Sequence, residues 1–322
     1  MGDFSVIIAT YNKAEIVLNC LESIIGADEP GCALEVLVID NNSTDDTIGR
    51  VGDFIRKNRN LSDIDIRLLR EERQGLVFCR NRGVAESTGE LLFYLDDDAL
   101  VSKGCLASYW RYYKDMGYMC LGGRILPWYR DDPEVPKWFN ETNWGVLSML
   151  DRGDRVKEVK YPDYPYGGNL VIAKSLFDKY GLFDEEMGRK GKGLNSNMEI
   201  DFMLRLERDG EPIYYVPDAT IYHLVPQGRL TRRFFFRRIY AQGASNAYLF
   251  TKEKGIRWGL LSIPKELFEL AKSPLRYIKK TFTRRPDNFR ALMQTFYHIG
   301  FIAKTTGLAF KKVFKPKNRE AS

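Results

Sequence analysis

Histidine is nearly missing from this 322-residue chain: only His223 and His298 occur, which excludes a histidine-rich metal centre. Cysteine is sparse as well. Cys20, Cys32, Cys79, Cys105 and Cys120 all precede residue 121, are odd in number and form no CxxC pair. They read as buried, reduced thiols of a reducing compartment, with neither a disulfide framework nor a zinc site indicated. No run of 18 uncharged apolar residues occurs; the nearest, 291–310, is broken by Gln294, His298 and Lys304. Such a segment suits lying on a membrane better than crossing one. The opening MGDFSVIIATYN lacks a basic n-region, so no secretory leader is expected. Val6 stands where a myristoylation signal needs Ser or Thr. Thirteen prolines and 27 glycines form no low-complexity tract.

What is present is an ordinary globular composition, 44% hydrophobic and 29% charged, long enough for one large α/β domain with an appendage or for two domains. The net charge of +6 conceals a division. Residues 229–322 carry 22 Lys/Arg against 5 Asp/Glu, a net of +17, and residues 1–228 carry 27 against 38, a net of −11. The chain is an acidic body with a basic tail.

The first hundred residues alternate short apolar runs with helical patterns. Strands are expected at 4–9, 36–39, 64–69 and 91–95, and helices at 14–25, from the Asn42–Asp45 turn to 57, and at 76–86. Fully apolar strands alternating with helices predict an α/β fold with a mostly parallel central sheet, covered on both faces. Ligands then bind beyond the carboxyl ends of the strands. Polar residues collect at those ends: Thr10-Tyr11-Asn12, Asp40-Asn41-Asn42 and Asp96-Asp97-Asp98. Residues 127–165 read as long loops around a short hairpin, where Trp128, Trp138 and Trp144 either stack on a ligand or form local core. A strand is expected at 167–172 and helices at 174–180 and 198–208. Beyond 229 helices dominate, with breaks near Gly255, Pro264, Pro274 and Pro286.

In an extended chain residues two apart share a face, so Asp96 and Asp98 can point together. Converging carboxylates call for a cation, and Mg2+ or Mn2+ suits them; a solvated, helix-capping turn is the other reading of the triplet alone. Four ordered blocks separate the two: SVIIATYN (Ser5–Asn12), VIDNNSTDDT (Val38–Thr47), RQGLVFCRNRG (Arg73–Gly83) and STGELLFYLDDDA (Ser87–Ala99). In residues, order and spacing they resemble the inverting, family-two glycosyltransferases of the GT-A fold. Later blocks are similar too: Tyr166-Gly167-Gly168-Asn169, and Glu199-Ile200-Asp201 ahead of an apolar run. The resemblance covers about residues 4–225 and omits the basic tail.

The resemblance implies a nucleotide-sugar-binding half (1–100) and an acceptor and catalytic half (101–228); charge and helical patterning add a basic, mainly helical extension (229–322). It implies that Thr10, Tyr11 and Asn12 border the nucleoside, that Asp40 bonds the base with Asn42 nearby, and that Arg73 and Arg80 approach base and diphosphate. Asp96, Asp97 and Asp98 fill the DxD positions for ribose and metal. Gly167, Gly168 and Asn169 lie on the acceptor side. Glu199 is the general base, with Asp201 as second choice, and His223 joins the metal or diphosphate. The chemistry agrees: a divalent ion neutralises the departing diphosphate, and a carboxylate takes the acceptor's proton.

Bland readings stand beside these. Ser196-Asn197-Met198-Glu199 is also a Ser-x-x-Glu capping box. The aromatic and basic runs at 234–238, 277–280 and 310–315 suit an anionic membrane surface, or simply packed helices with solvated faces; no nucleic-acid motif occurs. The expectation is a metal-dependent, non-processive transferase moving one sugar from a nucleotide-diphosphate sugar, UDP-sugars favoured, to a glycan or lipid-linked acceptor. It is expected in the cytoplasm, peripheral at the inner face of the plasma membrane. The alternatives are a sugar nucleotidyltransferase, against which the missing Gly-rich phosphate loop after the first strand argues, and a non-catalytic carbohydrate-binding or scaffold protein.

Overall fold

The computed structural model describes residues 3–59, 64–188, 193–194, 196–282 and 288–314, with backbone alone for 273–282, 288 and 311–314. Two compact units emerge. The first comprises Met1–Glu134, Leu147–Lys192 and Met198–Pro226; the second comprises Val135–Val146, Gly193–Asn197 and Gln227–Ser322. Residues 135–146, read from sequence as loops of the acceptor half, thus cluster with the C-terminal helices.

In the first unit β1 (Phe4–Thr10), α1 (Ile16–Ile25), β2 (Leu34–Asp40), α2 (Thr47–Asn58), β3 (Asp65–Arg70), α3 (Leu76–Glu86) and β4 (Leu91–Asp96) alternate as their apolar runs require. β5 (Ala99–Val101), α4 (Cys105–Met116), β6 (Cys120–Trp128), β7 (Lys157–Glu158), β8 (Asn169–Ala173), α5 (Lys174–Tyr180), α6 (Met198–Arg208) and β9 (Tyr214–Leu224) follow. The sheet runs β3-β2-β1-β4-β8-β6-β9-β5, with β7 on β9. Its first four strands are mutually parallel, and β8 enters antiparallel to β4 and β6. β2 is buried at every position, which is why its run is apolar throughout apart from Glu35 and Asp40.

Glu35 explains one exception. Its carboxylate, 2% exposed, accepts from Ser5 Oγ at 2.5 Å, the Thr88 amide at 2.5 Å and Arg67 at 2.7 Å. Burial opposes ionisation, but the bonds from Ser5, Thr88 and Arg67 outweigh it and hold the carboxyl below its ordinary value. A depressed carboxyl stabilises the fold above its unfolded pKa and loses that contribution as pH falls through its folded pKa. Glu35→Gln should therefore cost about 1–3 kcal/mol at neutral pH. Denaturant melts across the acid range should show the gap to wild type closing as pH falls below the ordinary carboxylate range. A pH-independent gap would show that charge has no part in it.

The hairpin expected within 127–165 does not form among the described residues. β7 pairs with β9, and Leu150 bridges to Ile125, so these segments find partners far along the chain. Short-range periodicity carries no sign of such pairing.

In the second unit α7 (Arg232–Lys254), α8 (Ile256–Phe282) and α9 (Asn288–Phe314) are long helices. The break at Gly255 is present, with φ 88°, but Pro264 and Pro274 lie inside α8. Proline removes one helical hydrogen bond, and packing along α9 carries the helix past that loss. Pro286 lies outside the described residues. α7 and α9 cross at Gly243 and Gly300, where a Cβ on either would run into the opposing backbone. Trp138, read as a ligand platform or local core, is core: its ring lies 5.0 Å from Phe235 and 4.5 Å from Phe289. No helix among the described residues is long and apolar enough to cross a membrane.

Candidate active site

Parallel register aligns three strand ends. Thr10 of β1 pairs with Asp40 of β2, and Ala9 of β1 with Asp96 of β4, so the polar residues that terminate these strands share one rim of the sheet. β4 stops at Asp96 and the chain turns through Asp97 and Asp98 into β5. β5 pairs antiparallel with β9, setting Ala99 opposite His223, and the Asp98 carbonyl accepts from the Leu224 amide at 2.8 Å. This ladder brings a histidine from the far end of the unit to the aspartate turn.

His223 Nε2 lies 3.3 Å from Asp98 Oδ1 and 4.0 Å from Asp96 Oδ2. The ligand atoms of the three residues lie within 4.8 Å of one another, close enough to hold a metal ion. Two carboxylates and an imidazole form a donor set able to hold a divalent ion. Asp97 accepts from Thr10 Oγ1 at 2.8 Å. Burial pushes the Asp97 carboxyl up to about 6, against the pull of Lys13 and with the repulsion of Asp98 and Asp96 added.

Lys13 was not among the expected site residues. Its ammonium sits 2.9 Å from Asp98 Oδ2 and 3.5 Å from Asp97 Oδ1, an internal counter-charge for the cluster. It directly follows the Thr10-Tyr11-Asn12 block, and position there was the one available signal.

Arg80 of α3, expected beside the nucleotide, turns inward. It is 3% exposed and donates to Glu199, to the Gly167 carbonyl at 2.7 Å and to Asp96 at 3.4 Å. One guanidinium thus ties the end of β4, the loop before β8 and the first turn of α6 together. Glu199 turns its carboxylate to Arg80 and so is not the reach-back partner of a capping box. A Cβ on Gly167 would run into the Glu199 carboxylate, and one on Gly168 into that of Asp96. These glycines, expected to admit a sugar, make room for the protein's own acids.

Other candidates separate from this cluster. Asp201 is buried and pairs with Arg205 one turn along α6, at 3.5 Å. Asn169 is buried within the sheet, donating to the Arg124 and Ala219 carbonyls and accepting from Tyr109 at 2.7 Å. Its side chain cross-links β6, β9 and α4 and does not present itself to an acceptor. Arg73 is largely exposed and pairs with Glu71 and Glu185, each at 3.2 Å.

At the nucleotide end, Asp40 is fully buried; Oδ2 accepts from the Ser43 amide at 3.0 Å, and Oδ1 has no hydrogen-bond partner among the described residues. Asn12, at φ 52°, accepts from the Thr44 amide at 2.8 Å and stitches the loops after β1 and β2 together. Tyr11 is partly exposed beside it. Asn42, at φ 61°, accepts from Arg70 at 2.7 Å. Asn41, which the sequence did not single out, accepts from the Gly75 amide and donates to the Arg73 carbonyl, each at 2.8 Å. It holds the 71–75 loop against the end of β2.

A family model described as glycosyl transferase family 2 matches residues 5–180, more than half the chain. The chain belongs to glycosyl transferase family 2. Among this family member's curated relatives, the glucosyl-dolichyl phosphate glucuronosyltransferase of Haloferax volcanii is 26% identical over 250 residues, covering 75% of each chain. Glycosyltransferase AglE of the same organism is 38% identical over 184 residues, covering 57% of this chain and 56% of its own. Among solved structures, the mannosyltransferase PcManGT of Pyrobaculum calidifontis, in complex with GDP-Man and Mn2+, superposes with a TM-score of 0.62 at 19% identity. The match covers 98% of this chain and 88% of that one. The fold is therefore GT-A, with a helical C-terminal region.

Proposed function

We propose that this transferase moves one sugar from a nucleotide-diphosphate sugar to a lipid-linked or glycan acceptor, with inversion, using Mn2+ or Mg2+ held by Asp96, Asp98 and His223. The observation that carries the reading is the convergence of those three ligands with Glu199, through Arg80, on the rim that also holds the open Asp40 oxygen. When bound, the divalent ion neutralises charge on the departing diphosphate. Asp40 Oδ1 accepts a hydrogen bond from the nucleobase, with Tyr11 beside it. Thr10 holds Asp97 and Lys13 balances the acidic turn. Glu199, held by Arg80, takes the acceptor hydroxyl's proton as the acceptor oxygen bonds the anomeric carbon and the diphosphate oxygen leaves. A single displacement inverts that carbon. Asp201, paired with Arg205, is the weaker candidate for this role.

Two relatives support a lipid-linked acceptor: the Haloferax volcanii enzyme named for glucosyl-dolichyl phosphate, and a dolichyl-linked glucuronosyltransferase of Methanococcus voltae, 22% identical over 264 residues. A donor of the UDP class is favoured, and the GDP-Man complex of the structural neighbour adds GDP-sugars to the panel. We assign donor and acceptor handling to residues 1–228 and surface attachment to the basic residues 229–322. The working place is then the cytoplasmic face of a membrane carrying the acceptor.

Thermal melts against UDP- and GDP-sugars, with and without Mn2+, test this. One nucleotide class should raise the melting temperature in a metal-dependent way, because a ligand that binds only the folded state stabilises it. No shift with any donor, and no slow donor hydrolysis, would overturn the assignment.

A further inference from the structure

Of the runs first read as membrane-facing, the one at 234–238 is partly taken up by packing. In the 234–238 run Phe235 is buried, Phe236 stacks on Phe296 at 4.3 Å, and Arg238 is buried and bonded to Gln242 at 3.1 Å. The side chains of 277–280 and most of 310–315 lie outside the described residues. Phe310, 64% exposed, opens the last run, but the larger group of exposed apolar side chains in this unit lies on α8. Trp258, Leu260, Leu261, Leu267 and Phe268 are 61%, 42%, 69%, 50% and 59% exposed. At 100° per residue these five fall on one half of the helix, the half opposite Gly259 and Glu266, which face α9.

We infer that this half of α8 is the element by which the chain lies on an anionic lipid bilayer, with its apolar side chains in the headgroup boundary. The inference deepens the membrane-surface reading above and rests on it. Three observations point to lipid. First, the face is aromatic and branched-aliphatic over about 15 Å of helix, and its exposed charges between residues 257 and 272 are Arg257 and Lys265, with no acid. Second, the acids of that stretch are withdrawn: Glu266 pairs with His298 at 2.6 Å, and Glu269 with Lys272 at 3.7 Å. Lys272 itself lies over the Phe268 ring at 3.6 Å. Third, residues 229–322 carry a net +17, which draws the unit to an anionic surface before any side chain inserts. A second copy of the chain is disfavoured as the occupant, because it would set two such basic units against each other. An amphipathic helix of this pattern lies in the interface plane.

The test is co-flotation of the full chain with vesicles of phosphatidylcholine alone or mixed with phosphatidylglycerol. The wild type should float with the mixed vesicles at low salt. Brominated acyl chains should quench its fluorescence, and Trp258→Phe should remove that quenching. Leu261→Gln with Phe268→Gln should lower partitioning by about tenfold without changing the melting temperature. The milder Leu261→Ala with Phe268→Ala serves if that variant fails to fold. Equal flotation of the folded variant, or flotation without quenching at Trp258, would overturn the assignment of α8 while leaving the membrane reading intact. A wild type that ignores every vesicle would overturn both. A concentration-dependent dimer abolished by the same variants would replace lipid with a second copy.

Discussion

Replacing Glu199 by glutamine should lower sugar transfer by about a thousandfold and leave donor affinity within a few-fold of wild type. The amide keeps the length of the side chain and still accepts from Arg80, so the link between the first turn of α6 and the end of β4 survives. What disappears is the group proposed to receive the acceptor's proton. A loss confined to turnover is the signature of an interaction made only in the transition state. Single-turnover transfer and calorimetric donor titration, run on the same preparation, separate the two quantities. A parallel loss of donor affinity would make Glu199 a structural strut for the Asp96 site, with the base elsewhere. Unchanged transfer would assign the proton to another group. Asp201 is poorly placed to be that group, buried and paired with Arg205.

Asp98→Asn should abolish metal-dependent donor binding, with Mn2+ affinity falling by at least about a hundredfold. Asp98 is the hub of the cluster, with Oδ1 toward His223 and Oδ2 toward Lys13. An amide is a poor hard-cation ligand, and the substitution removes one of three adjacent negative charges. That removal has a second consequence, of opposite sign, for the metal-free protein. Without Asp98 as a like-charged neighbour, the Asp97 carboxyl should fall from about 6 toward its ordinary value, because part of its rise comes from that repulsion. The metal-free variant should therefore melt no lower than wild type while lacking the melting-temperature increase expected of wild type on adding Mn2+. Mn2+ binding followed by electron paramagnetic resonance, together with melts in both states, checks both halves. A variant that still binds Mn2+ as the wild type does would move the metal away from Asp96, Asp98 and His223.

The roles in these predictions were unequally legible. Thr10, Asp40 and Asp96 could be placed together because each closes an apolar run, and parallel strands of similar length end on one rim. Glu199 carried two readings, cap and base, and the Arg80 contact separates the cap from the rest. The inward turn of Arg80 toward Glu199 and Asp96 was not legible, since a basic residue in a helix shows its charge but not its direction. The same holds for Asn169, whose amide satisfies carbonyls on β6 and β9, partners that no local pattern announces. Lys13 was passed over because an isolated lysine looks like surface until the carboxylates it faces are known.

By itself the sequence determined the alternating α/β half, the order of its strands' polar ends, the acidic triplet and the charge division near residue 229. All of these follow from local periodicity, composition and short motifs, which depend on neighbours along the chain. Only the tertiary structure decided how the β5–β9 ladder carries His223 to the acid pair, that Arg80 binds Glu199 to Asp96, that segments within 127–165 pair with distant strands, and that an exposed apolar face lies on α8. Each of those depends on sheet register or helix packing between segments far apart in sequence. Such contacts form because burial and ladder hydrogen bonding are settled for the whole unit at once, and no local pattern records them.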